Sequence, residues 1–165
     1  MSSGLNCRWV TVGRHRTVSD ATLLVVEDNA DDFLLLRRAI RHAKLQNPLQ
    51  HVDDGEKAIR YLSGAPPYED RTQWPMPLIV LLDLKLPRRS GFEVLAWLRA
   101  QEGLLRRLPV VVLTSSDQDK DIKQAYDLGA NSYLVKPGRF EDLIKLTLLV
   151  DTYWVLCNKR ADLNS

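Results

Sequence analysis

Four short apolar runs, at residues 23–26, 78–82, 110–113 and 132–135, each give way to a polar residue on the carboxyl side. The first is followed by Glu27-Asp28, the second by Asp83, the third by Thr114 and the fourth by Lys136. Longer segments of helical period separate these runs, and residues 50–52 offer one more short strand. Strand-length runs alternating with amphipathic helices predict βαβ units and an α/β fold on a mostly parallel sheet. Right-handed crossovers bring the carboxyl ends of all parallel strands to one edge, where ligands bind at the switch in strand order. The polar residues that end the runs therefore converge, although they lie far apart in sequence.

Local signals agree with this scheme and bring the count to five strands and five helices. Phe33, Leu36, Ile40 and Ala43 recur at three-to-four-residue spacing, which predicts a helix over 30–44 with its stripe against the sheet. Ser90 with Glu93, and Asp53 with Glu56, have capping-box spacing just before helical patterns. Leu128-Gly129 closes a segment carrying Ile122, Ala125 and Tyr126 on one stripe, since glycine commonly follows a helix end. Residues 63–77 contain Pro66, Pro67, Pro75 and Pro77 and read as a long surface loop.

The chain of 165 residues, 45% apolar, suits one compact domain. We expect a flexible N-terminal extension over 1–20, where a patch at 9–12 offers an added edge strand, a domain over 21–158 and a short tail over 159–165. A net charge of +2 gives no general attraction to nucleic acid or anionic membrane, and no basic helix is present. Cys7 and Cys157 have no metal-ligand spacing and make no disulfide framework, so a cytoplasmic location is expected. The N-terminus lacks signal-peptide character, and Asp151 interrupts the longest apolar run.

Three carboxylates gathered at one sheet edge raise one another's pKa and call for a cation. Oxygen donors in a site open to water suit Mg²⁺, which keeps several waters and takes few carboxylates; Mn²⁺ also suits them. A lysine and a threonine hydroxyl at the same edge are suited to phosphate. Together these groups describe an acyl-phosphate site, with an aspartate as nucleophile and catalysis by positioning and charge neutralisation. Taken singly, each has a plainer reading. Glu27-Asp28 is what a helix start favours, Asp83 and Thr114 are ordinary strand ends, Lys136 is a loop lysine and Tyr133 an aromatic at home on a strand. It is their convergence that favours chemistry. His15, His42 and His51 share no motif and read as surface or packing residues.

The stretches LLVVEDN, IVLLDLKLPRRSG, VVVLTSSD and GANSYLVKP, in this order and spacing, resemble the signatures of the response-regulator receiver family over roughly residues 22–156. The resemblance implies a doubly wound, flavodoxin-like five-stranded parallel sheet of order 2-1-3-4-5. It also implies that Asp83 is the phosphoacceptor, that Glu27 and Asp28 hold Mg²⁺ with the backbone carbonyl of Lys85, and that Thr114 and Tyr133 are switch residues. Lys136 would contact the phosphoryl group, and Pro137 would follow a cis peptide bond. The proline-rich insert and Thr152-Tyr153-Trp154 look like the single-domain regulators that partner phytochrome-type histidine kinases. Two positions depart from the common pattern: Lys85 stands where many receivers have a neutral residue, and Ser90 where many have aspartate. The phosphodonor histidine belongs to a partner kinase, and output passes through protein contact.

Two rival readings stand beside this one, and the enzyme rival shares the nucleophile, metal and lysine. Aspartyl-phosphate enzymes of the haloacid-dehalogenase family need a second aspartate two residues beyond the nucleophile, where this chain has Lys85. A phosphorylation-independent interaction module would carry a broken acidic site, and none is broken here. In the last helix, Phe140, Leu143, Ile144, Thr147 and Leu148 form one stripe, and Leu146, Leu149, Val150 and Tyr153 a second. One stripe is enough to face a sheet, so the second predicts a homodimer contact.

Overall fold

The computed structural model describes residues 21–158, so the expected extension over 1–20, its 9–12 patch, His15 and the tail over 159–165 lie outside the described residues. Within them, β1 (Leu23–Val26), β2 (Leu49–Val52), β3 (Ile79–Leu82), β4 (Val110–Thr114) and β5 (Ser132–Val135) form one sheet. Every pairing is parallel and the order is β2-β1-β3-β4-β5, as expected. The helices are α1 (Ala30–His42), α2 (Gly55–Ser63), α3 (Gly91–Ala100), α4 (Gly103–Arg107), α5 (Asp119–Asp127) and α6 (Phe140–Val150). A π-helical segment, Asp151–Cys157, continues α6.

β1, β3 and β4 are buried throughout, which is why they read as unbroken apolar runs rather than alternating ones. The strand's two-residue period sends alternate side chains to opposite faces. Leu24, Val26, Val80, Leu82, Val110 and Val112 pack with residues of α2, α3 and α5. Leu23, Val25, Ile79, Leu81, Val111 and Leu113 pack with residues of α1 and α6. Helices on both faces leave the two edges of strand ends as the places where polar groups gather.

The structure departs from the sequence expectations at several points. A sixth helix is present, because the five residues of α4 are too short to show a period. The Ser90–Glu93 capping box forms, but α2 is capped by Asp54, not Asp53. Asp54 accepts the Lys57 N–H at 2.6 Å, whereas Asp53 pairs with the Lys57 ammonium. Tyr126 is half exposed, leaving Ala125 as the buried residue of α5. The loop after α2 is not simply surface. Tyr68, Trp74 and Met76 pack on the core, and Arg71 donates to the carbonyls of Tyr61, Leu62 and Trp74. On the last helix, Leu146 and Val150 turn inward and Leu148 outward, so the exposed apolar row is Leu148, Leu149, Tyr153 and Leu156.

Candidate functional site

The register sets Val26 of β1 beside Leu82 of β3, so Glu27 and Asp83 leave the sheet side by side. Both are buried, while Asp28 is exposed. Oxygens of these three carboxylates lie within 4.8 Å of one another. Such a set of hard oxygen donors fits a divalent cation of the Mg²⁺ or Mn²⁺ kind. The Lys85 N–H donates to Asp83 Oδ1 at 3.3 Å, which folds the following loop over the carboxylate. Gly91 makes that loop feasible, because a Cβ there would lie 2.2 Å from the Asp83 carbonyl oxygen.

Lys136 is delivered from the far side of the sheet. Its backbone N–H continues the β4–β5 ladder by donating to the Thr114 carbonyl at 2.7 Å. Its ammonium donates to Glu27 Oε2 at 2.5 Å, Asp32 Oδ2 at 2.9 Å and Asp83 Oδ2 at 2.9 Å. Asp32 was not legible as a site residue. Its one signal is position, since Asn29 caps α1 by accepting from the N–H groups of Asp31 and Asp32.

Burial raises the Glu27 pKa to about 7, and repulsion from Asp83 adds to this. The bonds from Lys136 and from the Asn29 N–H work the other way. For Lys136, burial opposes the charge, but its bonds to Glu27, Asp32 and Asp83 outweigh that and raise its pKa. The ammonium and the carboxylates thus form one mutually dependent cluster. His51 supports it from behind, its Nε2 2.8 Å from the Glu27 carbonyl oxygen and its ring stacked on Phe33.

Thr114 is fully buried, and its hydroxyl has no hydrogen-bond partner among the described residues. Such an orphan normally costs about 1–3 kcal/mol. Tyr133 on β5 is half-buried and donates its hydroxyl to the Ser116 carbonyl at 2.9 Å. Ser116 in turn donates to Asp121 Oδ2 at 2.6 Å, tying the β4–α5 loop to the first turn of α5. The sequence offered no signal for that tie beyond a five-residue spacing of a hydroxyl and a carboxylate.

The expected cis bond before Pro137 is not found; among the described residues only Pro66–Pro67 is cis. A trans bond, the default even for proline, already lets the Lys136 ammonium reach three carboxylates. Of the other expected site residues, Glu27, Asp28, Asp83, Thr114 and Lys136 lie at or just beyond the carboxyl ends of β1, β3, β4 and β5, Tyr133 lies within β5, and Lys85 lies in the loop after β3.

A family model for the response regulator receiver domain matches residues 23–147. The chain is 38% identical to the probable methanogenesis regulatory protein FilR2 of Methanothrix harundinacea, over 83% of this chain and 85% of that one. It is 35% identical to response regulator Rcp1 of Synechocystis sp., over 81% and 88% respectively. The Mn²⁺-bound form of Rcp1 aligns with a TM-score of 0.75 at 33% identity, covering 86% of this chain and 99% of that one. The phosphorylated cyanobacterial phytochrome response regulator RcpA aligns with a TM-score of 0.78 at 31% identity, covering 85% and 97%.

Proposed function

The chain belongs to the response regulator receiver domain family, and on that premise we propose that it is a phosphorylation-controlled switch with Asp83 as phosphoacceptor. One observation carries the reading: Asp83, 6% exposed, directly follows a core strand yet contacts Lys136 and adjoins Glu27 and Asp28. An Asp83 carboxylate oxygen attacks the phosphorus of a partner's phosphohistidine. The O–P bond forms as the P–N bond breaks, and the imidazole leaves neutral when its second nitrogen carries a proton. Glu27, Asp28, Asp83 and the Lys85 carbonyl would hold Mg²⁺, which would neutralise charge on the phosphoryl oxygens. Mn²⁺ serves the same donor set, and Rcp1 offers the parallel of a Mn²⁺-bound form.

Lys136 moves part of its hydrogen bonding from carboxylates to phosphoryl oxygen, and Thr114 turns its hydroxyl to another oxygen. The Thr114 hydroxyl has no existing bond to give up, which favours the turn. Tyr133 follows the loop that Thr114 draws with it. The chain's own catalysis extends only to its phosphorylation and to hydrolysis of the same bond. The resulting bias between two conformations is read by protein contact.

The likeness to RcpA supports a donor kinase of phytochrome type, and a kinase-coupled switch of this kind works in the cytoplasm. No described helix is long and apolar enough to cross a membrane. A second copy of the chain is the partner for the exposed row of Leu148, Leu149, Tyr153 and Leu156; a monomer mass in light scattering at tens of micromolar, with and without phosphorylation, overturns this. The central test is incubation with acetyl phosphate and Mg²⁺, reading intact mass. One added phosphoryl group is expected in the parent, and none in Asp83→Asn or in metal-free parent. No gain in a folded parent beside an active control receiver overturns the proposal.

A further inference from the structure

We propose that Asp32 is a positioning residue that holds the Lys136 ammonium at the sheet edge when a metal ion claims Glu27 and Asp83. The inference rests on the reading of the site as a metal-dependent phosphoacceptor centre. An ammonium has three N–H donors, and those of Lys136 are matched by three carboxylates, Glu27, Asp32 and Asp83. Two of these partners also belong to the cluster that suits a divalent cation, together with Asp28; Asp32 does not. A cation entering that cluster competes with Lys136 for the oxygens of Glu27 and Asp83 and repels its charge. Asp32 is the one partner of the three that the ion does not claim.

The placement of Asp32 follows from α1. Asn29 caps the helix by accepting from the N–H groups of Asp31 and Asp32, which puts Asp32 in the first turn. A helix N-terminus favours a carboxylate there. The Asp32 side chain is 39% exposed, against 5% for Glu27 and 7% for Asp83, so it can turn with the ammonium without leaving a buried charge behind. With Asp32 absent, the ammonium settles wholly on Glu27 and Asp83 and opposes the incoming ion more strongly. Asp32 therefore eases metal entry in two ways, by its own negative charge and by drawing Lys136 aside. Only the second depends on Lys136.

A double-mutant cycle separates the two. Mn²⁺ binding is followed by the loss of the free-ion electron paramagnetic resonance signal, at 0.5 M salt to reduce the plain field effect. The proteins are the parent, Asp32→Asn, Lys136→Met and the double variant, with Asp32→Glu as the conservative control and near-ultraviolet circular dichroism to check folding. Asp32→Asn is expected to raise the Mn²⁺ dissociation constant by about three- to tenfold in the parent. In the Lys136→Met background the factor is expected to be at least threefold smaller, and Asp32→Glu should retain most of the parent's affinity. In metal-saturated parent, nuclear magnetic resonance of the Lys136 side chain should show a restrained ammonium, and in Asp32→Asn a freely exchanging one. An equal or larger factor in the Lys136→Met background, no change in either, or an unchanged ammonium signal overturns the role of Asp32. A parent that binds no Mn²⁺ overturns the metal-site reading itself, and this inference with it.

Discussion

Two ends of one sheet are each organised by a long basic side chain, and they differ in what that side chain holds. At the carboxyl edge, Lys136 meets the carboxylates of Glu27, Asp32 and Asp83. At the opposite edge, Arg99 meets neutral oxygens: the carbonyls of Gly129, Arg106 and Leu108 and the amide oxygen of Asn131. Asn131 also accepts the Val110 N–H at 2.8 Å, so this network fixes where β4 begins. Carboxylates can be surrendered to another cation, whereas main-chain carbonyls bound by a planar guanidinium have no competing partner. One edge is exchangeable and the other is scaffold.

The sharpest way to break that contrast is Arg99→Ala. Removing a cation that serves four acceptors is expected to cost about 3 kcal/mol in urea unfolding, with Mn²⁺ affinity unchanged. Arg99→Lys should recover only a minor part, because a point charge cannot reproduce the fork. Near-complete recovery would show that charge alone matters at this edge, and the contrast would fail.

The next effect is a pH dependence that arises at the exchangeable edge from Glu27. Glu27 has a folded pKa raised from 4.5 to about 7, so between these values the folded state binds more protons than the unfolded state. Its contribution to stability is therefore fully present below pH 4.5 and lost as pH rises through 7. In metal-free buffer the loss is expected to be roughly 2 kcal/mol, and Glu27→Gln should flatten that part of the urea-unfolding profile. An unchanged profile in Glu27→Gln would remove Glu27 as the titrating group.

The smallest effect concerns the loop that joins β4 to α5. Ser116→Ala removes the bond to Asp121 Oδ2 and is expected to cost about 1 kcal/mol. It should also loosen Tyr133, whose hydroxyl rests on the Ser116 carbonyl, visible as faster ring flipping by nuclear magnetic resonance. A stability loss with an unaltered Tyr133 signal would assign this loop to the scaffold.

The strand ends were legible because a buried parallel strand must be apolar to its last residue, and a charge after it then stands out. Asp83 after residues 78–82 carries that signal in full, and Lys136 only in part, because β5 is half-buried and opens on Ser132. Asp32 was hidden because an acid in the first turn of a helix already has a sufficient reason to be there. Arg99 was hidden because its partners are mostly carbonyls, which every residue has. The cap of α2 slipped by one because Asp53 and Asp54 both satisfy a local cap rule. The structure separates them: Asp54 accepts the Lys57 N–H, and Asp53 meets the Lys57 ammonium.

Periodicity and strand-end polarity in the sequence determined the layers and the edge at which Glu27, Asp28, Asp83, Thr114 and Lys136 meet, while the strand order came from the likeness to the receiver family. Tertiary structure alone decided which carboxylates Lys136 binds, that the Thr114 hydroxyl is left without a partner, and that Leu148 rather than Leu146 faces outward. The reason is one of range. Hydrophobic period is a local property of the chain, whereas a bond between residues 109 positions apart depends on side-chain reach set to within about an ångström by packing.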